Sequence, residues 1–174
     1  SNDYYPALAQ PQVEVVNQAI REVSEQGVIT ADGREHAADV LIYGTGFAAS
    51  DFLAPMRIRG LGGRELNQAW KEGAEAYKGI SVNGFPNLFI LYGPNTNLGH
   101  NSIIYMLESQ FPYVLSCLQQ LQQGVRYLDV RAPVQQAWNQ RLQHDIEHSV
   151  WEQGCNSWYK NAAGKHTNNW SGFT

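Results

Sequence analysis

The stretch NGFPNLFILYGPNTNLGHNSIIYMLESQ, residues 83–110, holds a turn, an apolar run, a polar loop and the start of a helical pattern. The first four residues have the composition of a turn. Residues 87–92 predict a strand, which Gly93-Pro94 ends. A helix is predicted to begin at Ile103, and the N–H groups of a first helical turn lack intrahelical partners and carry positive partial charge. We therefore expect the loop before this helix to face an anionic ligand group such as a phosphate, with His100 either touching the ligand or bracing the loop.

Two long helices are predicted after this loop. The first runs from Ile103 to about Gln122, and Pro112 inside it is expected to kink it. The second runs from Ala132 to about Glu152. Both have apolar residues at intervals of three and four, which is typical of a helix that buries one face. The residues predicted to be buried are Ile104, Leu107, Phe111, Val114, Leu118 and Leu121 in the first helix and Val134, Trp138, Leu142, Ile146 and Val150 in the second.

Short strands are predicted upstream, which gives the chain a mixed α/β character. Residues 1–10 have the composition of a loop, and Asp32-Gly33 is typical of a hairpin turn. The continuous apolar run at residues 40–43 favours a strand covered on both faces. The predicted strands are 13–16, 19–23, 28–30, 40–43, 80–82 and 87–92, and a short helix is predicted over 64–70.

Composition limits the classes of function. The 174 residues, 43% of them hydrophobic, suit one packed domain or the larger part of one. A formal charge of -4 disfavours a nucleic-acid partner, and no apolar run approaches the ~20 residues of a membrane helix. Two cysteines, Cys117 and Cys155, make no disulfide framework, so a cytoplasmic location is expected. Because the sequence opens at Ser1 rather than Met, we expect part of a longer protein or a trimmed start.

Two short motifs have ordinary alternatives. Gly44-x-Gly46-x-x-Ala49 matches a dinucleotide fingerprint, but little room for the required helix follows it, and such glycines also permit close approach of another segment. HDIEH, residues 144–148, places two histidines on one helical face as a zinc site requires. No third ligand is evident, so a solvated polar face is favoured and no metal is expected.

The tail GCNSWYKNAAGKHTNNW, residues 154–170, places aromatic rings among hydrogen-bonding residues. It is either a disordered terminus with a few anchoring tryptophans or a lid over a cofactor, and its aromatic content favours docking. Cys155 has no base predicted beside it, which favours an inert thiol.

Several of these stretches together resemble one family. DVLIYGTGF (residues 39–47) is similar to the D-x-x-I-x-A-T-G-F stretch of class B flavoprotein monooxygenases, which include the flavin-containing and Baeyer–Villiger enzymes. Residues 83–110 resemble the F-P-N-L-F…G-P-N segment and the helix after it, and the tail resembles the S-W-Y…G…N-W segment of the Baeyer–Villiger branch. DYYPAL (residues 3–8) resembles the return from the NADPH domain. Gly44 replaces the usual alanine, and Pro112 interrupts a helix that is usually uninterrupted.

The resemblance implies the C-terminal part of an oxidoreductase with two dinucleotide-binding domains, one for FAD and one for NAD(P). Residues 1–47 would end the NADP-binding region and return to the FAD domain, 48–130 would complete the FAD-binding domain, and 131–174 would form the last helix and a lid-like tail. The glycine-rich fingerprints and the catalytic arginine of the family belong to upstream regions. No catalytic residue is therefore expected in this chain.

The cofactor contacts that the resemblance implies fall in three places. Thr45 and Gly46 would lie near NADP, and Trp158 would cover it. The loop before the long helix would face the flavin, with its backbone N–H groups stabilising negative charge on the reduced ring. The loop residues concerned are Gly93, Pro94, Asn95, Thr96, Asn97 and Leu98.

The implied parent is an FAD- and NADPH-dependent monooxygenase that inserts one oxygen atom of O2 into a ketone or oxygenates a soft heteroatom. The chain alone is expected to be inactive and free of cofactor. It is also expected to self-associate through apolar surface that the missing domains would cover. The alternative is a stand-alone, non-enzymatic binding or assembly module.

Overall fold

The computed structural model describes residues 2–46, 48–153 and 157–172, in two compact units, residues 1–46 and 47–174. The boundary falls beside the position at which the sequence predicts a change of region. That the first unit belongs to an NADP-binding region and the second to an FAD-binding one stays a prediction.

The first unit is a small antiparallel sheet. It contains helix α1 (Tyr4–Leu8) and strands β1 (Ile20–Val23), β2 (Gly27–Thr30) and β3 (Glu35–Ala37), in the order β1-β2-β3. Val23 pairs with Val28, and Val28 pairs in turn with His36. The predicted hairpin turn at Asp32-Gly33 is confirmed, because Gly33 has φ +85° and its N–H donates to the Thr30 carbonyl at 2.8 Å.

Three predictions in this unit are wrong. Residues 4–8 are helical rather than loop, and residues 13–16 are irregular rather than a strand. Residues 40–43 form no strand either, and Val40, Ile42 and Tyr43 expose 74%, 92% and 74% of their surface. A doubly covered strand needs a packing partner on each face, and the exposure of these side chains shows that the described residues do not provide one.

The second unit has its core in an irregular segment. A 3₁₀ turn (Leu61–Gly63) and helix α2 (Leu66–Ala69), which confirms the predicted short helix, lie in this segment. The predicted strands at 80–82 and 87–92 are absent: Ile80, Val82 and Ile90 are buried, but the backbone is tied by single bonds such as Ile90 N–H to the Ile80 carbonyl at 2.8 Å. The buried cluster comprises Leu66, Ala76, Val82, Phe85 and Ile90.

Helices α3 (Ile103–Gln122) and α4 (Ala132–Glu147) complete the unit. The bounds of α3 agree with the prediction, and the helix continues through Pro112. Helix α4 ends five residues before the predicted end, because residues 148–153 form turns in which the Ser149 N–H donates to the Ile146 carbonyl. No helix among those described is long and apolar enough to cross a membrane.

The apolar stripe of α3 is the main departure from the predicted burial. Ile104, Phe111 and Leu118 are 67%, 43% and 43% exposed, and the fully buried positions are Met106 and Gln110. The periodicity therefore identified an apolar face correctly, but that face meets no covering element within this unit's described residues. On α4, the prediction holds for Leu142 and Ile146, which are buried.

Candidate functional site

The loop before α3, residues 93–98, is held rigidly inside the second unit. Pro94 and Thr96 are fully buried, and Asn95 has a left-handed backbone with φ +57°. The Thr96 hydroxyl donates to the Gly93 carbonyl at 2.7 Å. A Cβ on Gly93 would lie 2.2 Å from the Gly79 carbonyl oxygen, so the two glycines allow these segments to meet backbone to backbone.

The tail pairs with this loop through the backbone. Asn95 N–H donates to the Thr167 carbonyl at 2.8 Å, and Asn97 N–H donates to the Asn168 carbonyl at 2.9 Å. In return the Trp170 N–H donates to the Asn97 carbonyl at 2.9 Å, which forms a parallel bridge between Asn97 and Asn169. The tail described from residue 157 to 172 is thus docked rather than disordered.

Side chains reinforce the pairing. The Asn95 amide donates to the His166 carbonyl at 3.0 Å, and the Asn97 amide donates to Asn169 Oδ1 at 2.9 Å. The Tyr92 hydroxyl donates to Asn97 Oδ1 at 2.7 Å. Burial raises the pKa of Tyr92, so this hydroxyl keeps the proton that it donates.

These bonds decide which backbone donors remain for a ligand. Asn95 and Asn97 were expected to present N–H groups to a flavin, but both N–H groups are bonded to the tail. The first turn of α3 is different: Ser102 is the N-cap and makes no side-chain cap, and Ile103, Ile104 and Tyr105 are exposed. The first intrahelical bond runs from the Met106 N–H to the Ser102 carbonyl. The N–H groups of residues 103–105 therefore have no intrahelical acceptor, and this turn is the better candidate for contact with an anionic group.

Two buried side-chain amides have a donor to spare. Gln110 Oε1 accepts from the Tyr92 N–H at 3.0 Å, and Asn169 Oδ1 accepts from Asn97, but neither amide's NH₂ group has a partner among the described residues. Buried amide donors are normally satisfied, and carbonyl oxygens of a flavin ring are suitable acceptors. The chemistry of this donor set therefore fits FAD.

The tail itself is a hairpin, residues 157–170, fastened by two carboxylates. Its arms meet at an antiparallel bridge between Lys160 and His166. Glu152, after α4, accepts from Lys160 Nζ at 2.6 Å and contacts His166 Nε2 at 2.8 Å. Glu75 forms an ion pair with Lys165 and accepts from the Asn139 amide at 3.0 Å.

The remaining predicted contacts are exposed residues. Trp158 is 58% exposed and packs against Tyr159 with ring centroids 4.4 Å apart, and its carbonyl accepts weakly from the Asn168 amide at 3.4 Å. Thr45 and Gly46 are exposed residues of the first unit, and Gly46 has φ +79°. No described helix opens at Gly46, as a pyrophosphate-binding turn would require.

The other candidate groups show no catalytic arrangement. His144 has an exposed side chain and lies 3.9 Å from Glu147, and the described part of the chain contains no group of three or more metal-ligating side chains. Burial raises the pKa of the half-buried Cys117 thiol, which makes it less reactive. Cys155 lies outside the described residues.

Sequence reasoning missed three features of this site: the pairing of loop and tail, the spare donor of Gln110, and both carboxylate clamps. The asparagines on both sides, Asn95 and Asn97 in the loop and Asn168 and Asn169 in the tail, were a usable signal. Closely spaced asparagines tolerate left-handed backbone and bond to neighbouring main chain.

Comparisons with known proteins cover the whole chain. It is 46% identical over 177 aligned residues to a Baeyer–Villiger monooxygenase of Pseudomonas aeruginosa, with all of this chain and 34% of that protein aligned. Among solved structures, OTEMO in complex with FAD and NADP matches with a TM-score of 0.80 at 28% identity, over 98% of this chain and 32% of that one. Cyclohexanone monooxygenase from Rhodococcus sp. Phi1 bound to NADP+ matches with a TM-score of 0.81 at 27% identity, over 98% and 33%. No family model matches the chain. The chain spans about a third of the length of these relatives.

Proposed function

This chain belongs to the Baeyer–Villiger monooxygenase family, and we propose that it forms the C-terminal part of an FAD- and NADPH-dependent monooxygenase. The full protein would insert one oxygen atom of O2 into a ketone, or oxygenate a soft heteroatom. The observation that carries the proposal is the similarity along the entire chain to proteins of this kind.

The geometry of the second unit supports a role in holding the flavin. In the full protein, FAD would activate oxygen and NADPH would supply the electrons. The exposed first turn of α3 and the spare amide donors of Gln110 and Asn169 are suited to orient ring acceptors and to stabilise negative charge on them. The tail hairpin pairs with the loop, and Trp158, exposed in the same hairpin, would extend this cover over NADP and exclude water.

The proposed function is tested with the full-length protein. We expect bound FAD, NADPH oxidation that rises on addition of a cyclic ketone, and a lactone containing one more oxygen atom than the ketone, detected by mass spectrometry. A parallel assay with an aryl sulfide separates ketone from heteroatom oxygenation. A flavin-free protein, or NADPH oxidation that yields no oxygenated product with either compound, would contradict the proposal.

The isolated chain is expected to be colourless and inactive, because the family's glycine-rich nucleotide fingerprints are not among its residues. The measurement is flavin absorbance after desalting, followed by NADPH oxidation with ketone or sulfide. The full-length protein treated identically is the control. Flavin that stays bound through desalting would show that this part alone makes a complete site.

The isolated chain is also expected to self-associate. Ile42 is 92% exposed in the first unit, and Ile104 and Leu115 are 67% and 57% exposed on α3. Such surface favours burial against another molecule. Light scattering over a concentration series should show a rising mass, and Ile104→Ser with Leu115→Ser should reduce it. A constant monomer mass at high concentration would refute this expectation.

Nothing observed favours the alternative of a stand-alone binding module.

A further inference from the structure

The tail hairpin is bonded to the loop chiefly through one arm. His166 sits where the arm meets the loop: its carbonyl accepts from the Asn95 amide at 3.0 Å and from Gln143 Nε2 at 2.8 Å. The next carbonyl, of Thr167, accepts from the Asn95 N–H at 2.8 Å. The position of His166 therefore fixes where the arm carrying Asn168 and Asn169 meets the loop.

One carboxylate reaches both arms of the hairpin. Glu152 Oε1 lies 2.6 Å from Lys160 Nζ on the first arm, and Glu152 Oε2 lies 2.8 Å from His166 Nε2 on the second. The His166 side chain is only 4% exposed, so water cannot replace this bond easily. Hydrogen bonds from Lys160 and His166 hold the pKa of Glu152 below its ordinary value, so the carboxylate stays charged at neutral pH.

The contacts of Glu75 with the hairpin do not duplicate those of Glu152. Glu75 pairs with Lys165, and Asn161 donates to the Glu72 carbonyl at 3.0 Å, so both contacts hold the turn end of the hairpin. Glu152 instead holds the bridge between Lys160 and His166 at the base of this turn, where His166 begins the contact with the loop. Losing Glu152 should loosen this bridge while Glu75 and the Glu72 carbonyl still hold the turn.

We propose that Glu152 is a positioning residue that holds the tail hairpin in register against loop 93–98 by bonding Lys160 and His166 together. The inference that this register matters for oxygenation rests on the proposed function. The attachment itself does not.

The attachment is tested by hydrogen exchange in the full-length protein. In Glu152→Gln, the amides of Asn95, Asn97 and Trp170, which bond across the junction, should exchange on the order of fivefold faster, as loss of an ion pair and a charged hydrogen bond predicts. Glu147→Gln removes an exposed carboxylate on α4 that does not touch the tail and should leave these rates unchanged. Unchanged rates at the three amides in Glu152→Gln would overturn the proposal.

A double variant separates positioning from general stabilisation. Lys160→Met should also speed exchange at the same amides, and combining it with Glu152→Gln should add little, because both changes break one shared contact. Fully additive effects, or equal acceleration at core amides such as Ile90, would instead show a diffuse loss of stability and overturn the proposal.

The functional consequence has a separate readout. With FAD content unchanged, Glu152→Gln should raise the hydrogen peroxide formed per NADPH consumed, whereas Glu147→Gln should not. Faster exchange with unchanged coupling would overturn the claim that the register matters for oxygenation. A full-length protein that binds no FAD would instead defeat the proposed function, and the exchange data would still decide whether Glu152 positions the tail.

Discussion

Gly79→Ala in the full-length protein is expected to lower the free energy of unfolding by about 3 kcal/mol and to reduce FAD content. Gly79 has φ +70°, which is strained for an alanine at a cost of roughly 1 kcal/mol. An added Cβ would lie 2.0 Å from Thr96 Cγ2 and 2.9 Å from the Pro94 carbonyl oxygen. Because Pro94 and Thr96 are fully buried, relief requires the loop to move, and overpacking of this kind adds about 1–3 kcal/mol.

The matched control is Gly62→Ala. Gly62 has nearly the same backbone, with φ +64°, but no described atom lies within 4 Å of a Cβ built there. The Gly62→Ala variant should lose only about 1 kcal/mol of unfolding free energy, the cost of the backbone strain, and should keep its flavin. Urea unfolding and flavin absorbance after desalting measure the two quantities. Equal losses of unfolding free energy in both variants would show that the close approach of Gly79 to the loop does not contribute to the destabilisation.

The long helices could be predicted because their signals are local. The bounds of α3 follow from the apolar periodicity within the segment and from Gly124, which lies just past its end with φ +99°. Periodicity cannot say whether a partner for the apolar face exists in the same chain. Periodicity therefore could not predict that Ile104 and Phe111 are exposed.

The predicted strands at 19–23 and 28–30 are present, but those at 80–82 and 87–92 failed for a related reason. Within residues 87–92, Ile90 lies in the core and Leu88 packs against it, and burial alone does not require ladder pairing. The site was partly predictable: the loop before α3 was identified from its composition. Its pairing with the tail joins residues more than 70 positions apart, such as Asn95 and Thr167, and no local pattern reports a contact at that separation.

Trp158→Ala in the full-length protein is expected to uncouple NADPH oxidation from oxygenation while FAD content and stability hold. Trp158 is 58% exposed and rests on Tyr159, so its removal opens no cavity in the core. A large ring with one polar N–H is suited to stack on a nicotinamide or adenine and to donate to a ribose or phosphate oxygen. Losing such a contact, about 0.5–1.5 kcal/mol, should weaken NADP retention about two- to twelvefold.

The readouts are FAD occupancy, the dissociation constant of NADP+, and the ratio of hydrogen peroxide formed to NADPH consumed, since water admitted to an uncovered site diverts the reaction. Tyr127→Ala removes another exposed aromatic ring of the second unit, 55% exposed and outside both loop and tail, and should change none of them. FAD is held in this scheme by the first turn of α3 and the buried amides, not by the tryptophan. A Trp158 variant that loses FAD, or one whose coupling and NADP+ affinity match the wild type, would therefore show a structural anchor instead of a cover for the cofactor.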